Sequence, residues 1–70
     1  MEKYKKAIRR ALHMFNYSKR QHHVSGAKVS NGEMQGIIRV ATYDNELSDE
    51  DFSKMLDLHK AMSKKIFEML

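Results

Sequence analysis

The stretch VSNGEMQGIIRVATY, residues 29–43, decides the fold, because it satisfies the rules for two incompatible structures. Asn31-Gly32 favours a two-residue type I′ hairpin turn, whose central positions both need positive φ. Ile37, Ile38, Val40, Thr42 and Tyr43 would then supply β-forming side chains. The same residues also open and fill a helix. Ser30 and Glu33 have capping-box spacing, with Val29 and Met34 placed as a hydrophobic staple around the cap. Met34, Ile37, Ile38 and Ala41 recur at i, i+3, i+4 and i+7. The first strand of a hairpin would have to come from residues 24–30, which contain glycine and serine and are weakly apolar. The helical reading is therefore favoured, and a helix–β-hairpin–helix chain of the α+β class is the alternative.

Both flanks read as helices. Upstream, Tyr4, Ala7, Ile8, Ala11, Leu12 and Phe15 share one face of a 3.6-residue wheel, and Lys3, Lys6, Arg9, Arg10 and His13 lie opposite. This predicts a helix over about residues 2–19, followed by a loop over 20–30. Downstream, LSDEDF (residues 47–52) carries the signals of a helix start. Ser48 is the cap, Asp51 stands at the third helical position, and Leu47 and Phe52 have staple spacing. Three acids, Asp49, Glu50 and Asp51, suit the positive end of the helix dipole. Glu50 and Lys54 add an i,i+4 pair. The predicted last helix spans 48–69, with Phe52, Met55, Leu56, His59, Met62, Ser63, Ile66, Phe67 and Leu70 on one broad face. The expected fold is an all-α, three-helix, single domain over residues 1–70.

Seventy residues without cysteine have neither a disulfide nor a plausible zinc set to compensate for a small core. Tight helix packing, self-association or a partner must then supply stability. The composition, 31% charged and 41% hydrophobic, is that of a globular chain. No signal-peptide core and no apolar run of about 20 residues is present, so a cytoplasmic protein without a membrane span is expected.

The net charge of +4 is unevenly distributed: residues 1–30 carry +7 and residues 31–70 carry −3. The candidate contacts for nucleic acid or an acidic protein are Lys5, Lys6, Arg9, Arg10, Lys19 and Arg20. The competing reading is a solvated face that complements the acids from Asp44 to Asp51. No aromatic residues alternate with the cations, which argues against a base-stacking platform. A helix-turn-helix reader is disfavoured, because the last helix would present Asp49, Glu50 and Asp51 to the phosphates.

The methionines make a second candidate. Met55, Met62 and Met69 recur every seven residues, and with Ile66 they are the expected partner interface, most simply of a homodimer; methionine as core filler is the competing reading. His59, beside Ser63 on the apolar face, reads as a hydrogen-bonded buried histidine. His22-His23 has no metal-ligand spacing, so no metal or cofactor is expected. No nucleophile elbow or phosphate loop is present, and no small-molecule substrate is indicated.

The expected function is therefore non-enzymatic: a small regulatory or inhibitory protein acting on another protein, or alternatively a nucleic-acid binder using the first helix. In size and charge it is similar in kind to many small regulatory proteins of bacteria and their viruses.

Overall fold

The structure, a computed structural model, describes residues 2–70. It contains three helices, α1 (Glu2–Arg20), α2 (Val24–Tyr43) and α3 (Asp49–Met69), and no strand among the described residues. The ambiguous stretch is helical, with Asn31-Gly32 inside α2.

The expected loop over 20–30 is corrected: α2 begins at Val24. Ser30 does not cap; it is buried in the middle of the helix, on the same side as Ala27, Met34, Ile38 and Ala41. What starts α2 is the way α1 ends. His23 donates its N–H to the Ser18 carbonyl at 2.8 Å, and His22 donates to Lys19 at 3.1 Å. With His22 at φ 54°, this is a Schellman closure that turns the chain within three residues. The end of α2 repeats the device: Glu46 bonds back to Ala41, Asn45 bonds to Thr42, and Asn45 has φ 58°. Both residue types are enriched there among non-glycine residues, asparagine helped by the local hydrogen bonds of its short amide, and each carries a Cβ cost that glycine lacks. His22→Gly should therefore stabilise the fold by about 0.5–1 kcal/mol, raising Tm by several degrees. Asn45→Gly should gain less, and paired thermal melts check the difference.

The third helix starts as its sequence implies. Ser48 Oγ accepts the Asp51 N–H at 3.1 Å, leaving Asp49, Glu50 and Asp51 in the first turn. Lys54 and Glu50 pair at 3.1 Å.

The core is organised by α2, which packs on both neighbours while α1 and α3 meet at few points. Ala11, Ala27 and Ala41 are almost fully enclosed and let the helix backbones approach closely. Phe15, Met34, Ile38, Met55, Met62 and Ile66 fill the space between the helices. The interface expected at Met55, Met62 and Ile66 is thereby corrected, because all three are buried within the chain itself. Met69 is half-buried against the same cluster. The reason is the phase of α3: the seven-residue row falls on the side that joins Phe15 of α1 and Met34 and Ile38 of α2 in one core. The large apolar residues that α3 does present outward are Phe67, 77% exposed, and Phe52, with Leu70 exposed just beyond its end.

Candidate functional site

Helix α1 turns Phe15, Ala11 and Ser18 inward, and the 100° step per residue then sets its cations outward. Lys5, Lys6, Arg9 and Arg10 are all exposed. Lys6, Arg9, Arg10 and His13 line one shallow depression of about 330 Å³. Arg20 is exposed at the far end of the helix. Lys19 points elsewhere: it is half-buried and lines the groove between α1 and α3 with Leu12, Phe15 and Lys65. The structure thus brings four of the six expected contact residues together and sets Arg20 and Lys19 apart from them.

The acids do little to neutralise this face. Among the described residues, the ion pairs join Lys3 to Asp44 at 3.6 Å, Lys54 to Glu50, and Lys65 to Glu68 at 3.6 Å. None involves Lys5, Lys6, Arg9, Arg10, Lys19 or Arg20. Asp44 of the acidic segment engages the first turn of α1. There the Tyr4 hydroxyl donates to Asp44 Oδ2, and Lys3 lies 5.6 Å over the Tyr4 ring. The hydrogen bond to Asp44 pushes the Tyr4 hydroxyl up to about 12, and the Tyr4 donor holds the Asp44 carboxyl below its ordinary value. A raised tyrosine keeps its contribution at pH below 10 and loses it between 10 and about 12. A lowered aspartate keeps its contribution above the ordinary carboxylate range and loses it on acidification. The clasp between α1 and the α2–α3 turn is thus intact across neutral pH.

The other histidines take structural positions. His59, half-buried between α2 and α3, has Nδ1 2.8 Å from Asn31 Oδ1, and Asn31 Nδ2 donates to Ser63 Oγ at 3.0 Å. Since the Asn31 amide oxygen only accepts, His59 Nδ1 carries the proton. His22 forms the left-handed turn, and His23 precedes α2 without a side-chain cap bond. Among the described residues no three His, Asp or Glu side chains converge as a metal set, and no helix is long and apolar enough to cross a membrane.

Sequence reasoning missed one surface. Val29 (61% exposed), Val40 (51%) and Tyr43 on α2 face solvent, beside the exposed Met14 on α1. The available signal was spacing: Val29 and Val40 lie eleven residues apart, three turns of a helix, in a phase away from Met34. The chain matches no family model, no curated protein and no solved structure.

Proposed function

We propose that this chain is a non-enzymatic regulatory or inhibitory protein that docks an acidic protein partner on the outer face of α1. The observation that carries the reading is the set of exposed cations, Lys5, Lys6, Arg9 and Arg10, side by side and without a carboxylate partner among the described residues. Such a face attracts anions from a distance and speeds their association.

A compact acidic partner fits better than a long polyanion. The bond from Tyr4 to Asp44 places the acidic turn and the start of α3, with Asp49, Glu50 and Asp51, at the N-terminal end of α1. A phosphate backbone tracking along α1 would run onto that negative end, whereas a partner confined to the middle of the helix avoids it. The second reading, nucleic acid, is favoured by one feature: Tyr17 is 51% exposed one turn beyond His13 on this face.

Titration against duplex DNA and single-stranded RNA, at low salt and near 0.15 M, separates the two. Weak binding that disappears at the higher salt is expected, since counterion release makes phosphate contacts steeply salt-dependent. Micromolar or tighter affinity there would replace the protein reading with the nucleic-acid one. In nuclease-treated lysate of the source cell, the wild-type chain should retain an acidic protein that Lys5→Glu/Lys6→Glu/Arg9→Glu does not. Equal retention by both would remove the basic face from the mechanism.

A further inference from the structure

The surface missed in the sequence has a charge pattern that identifies its occupant. Helices α1 and α2 are antiparallel neighbours: Ser18 approaches Gly26 at one end, and Tyr4 and Val40 line the same groove at the other. Following both helices inward from those ends puts Arg10 and Glu33 at the same height on opposite sides of the groove, which has a volume of about 420 Å³. Both residues are exposed, and neither has an ion-pair or hydrogen-bond partner among the described residues. On one side of this level lie Ala7, Gly36, Ile37 and Val40, and on the other Met14 and Val29. The face is therefore an apolar strip with one positive and one negative charge at its middle, each on a different helix.

We infer that this α1–α2 face binds a second copy of the chain. The rotation that satisfies it is a two-fold axis lying in the groove parallel to the helices. That operation lays α1 of one copy over α2 of the other. It sets Arg10 against Glu33 of the second copy, and Glu33 against Arg10 of the second copy, at equal height. It also brings Met14 over Val29 of the second copy, and Ala7 over the level of Gly36 and Ile37. An isologous interface requires such self-complementarity. A two-fold axis running across the helices instead places Arg10 against Arg10 and brings two basic α1 faces together, which like-charge repulsion disfavours. Gly36, which lines the groove, supports a close approach of the backbones, since a Cβ there would meet no atom within 4 Å. Lys5, Lys6 and Arg9 do not line this groove, whereas Arg10 borders both faces. Glu33 and Val40, which lie outside the basic face, are therefore the positions that test the dimer separately from the docking of an acidic partner.

Sedimentation velocity or light scattering over a wide concentration range, near 0.15 M salt, should give a species of twice 8.2 kDa. Arg10→Glu and Glu33→Arg should each weaken association by tenfold or more, with unchanged helical circular dichroism because both side chains face solvent. The double variant Arg10→Glu/Glu33→Arg should restore the dimer. Val40→Lys should also dissociate it, independently of the charge pair. A monomeric wild type overturns the inference. So does a dimer indifferent to Val40→Lys or to both reversals, as does a double variant that fails to recover.

Discussion

Met62→Glu should unfold the chain rather than merely prevent association. Met62 is 2% exposed and sits among the helices with Phe15, Met34 and Ile66. Glutamate nearly matches methionine in size and leaves no large cavity, but it forfeits the apolar transfer energy of a buried methionine, about 1.5–3 kcal/mol. An unpaired carboxylate at the same place adds several kcal/mol of desolvation. A domain of this length has roughly 4–10 kcal/mol in total, at 0.05–0.15 kcal/mol per residue, so the fold is exhausted. Far-UV circular dichroism at neutral pH should show the helical signal lost. The glutamate also gives the effect a pH signature. Burial raises its folded-state pKa above the ordinary value near 4.3, so the penalty is present above that value and relieved below it. Helicity should partly return on acidification. Met62→Leu, which conserves volume, should cost less than about 1.5 kcal/mol. Phe67→Glu should leave the fold intact, because Phe67 is 77% exposed on the same helix. A Met62→Glu chain with wild-type melting would return Met62 to an outer surface.

That contrast between Met62 and Phe67 marks where the sequence stops being legible. The helices α1 and α3 could be read closely because their signals are local: the spacing of Ala11 and Phe15, and Ser48 three residues before Asp51. The start of α2 could not, because Ser30 and Glu33 imitate a cap that the chain does not use. The real boundary is a left-handed His22, and histidine gives little warning of that conformation where glycine would have announced it. The methionine row was visible as a row, but a heptad spacing alone does not say whether it faces α2 or a second molecule. Only the packing of α2 over both neighbours decides it. For the candidate site, the grouping of Lys5, Lys6, Arg9 and Arg10 follows from helical periodicity. Their lack of carboxylate partners among the described residues depends on where Asp44, Glu50 and Glu68 settle. Arg10 and Glu33 are 23 residues apart in the chain, and no local pattern relates them; the antiparallel register of α1 and α2 does.

The three glycines of α2 should respond to alanine with opposite signs, although all three lie in one helix. In a helix, alanine is worth up to about 1 kcal/mol over glycine through reduced backbone entropy in the unfolded chain. At Gly32 and Gly36 the new methyl meets nothing within 4 Å, so that gain should appear as about 0.5–1 kcal/mol of added stability. It is best measured in the Arg10→Glu background, where association does not contribute. At Gly26 the methyl would lie 2.5 Å from Ser18 Oγ, 2.8 Å from His23 Nδ1 and 3.3 Å from Ser18 Cβ. The exposed His23 ring can swing aside, but Ser18 is 5% exposed and held between α1 and α2. The first turn of α2 must then move off α1, an overpacking that costs roughly 1–3 kcal/mol and outweighs the propensity gain. Gly26→Ala should therefore lower stability in urea, and Gly26→Val should lower it further. The cause can be isolated, because the shortest contact is to a single removable atom. Ser18→Ala deletes Oγ and leaves the new methyl at the 3.3 Å contact with Cβ, which small shifts absorb. Gly26→Ala/Ser18→Ala should thus be more stable than the two single changes predict together, with a coupling of about 1 kcal/mol or more. Strict additivity would mean that Gly26 is not there to let α2 approach Ser18, and that the turn at His22 alone fixes how closely the two helices meet.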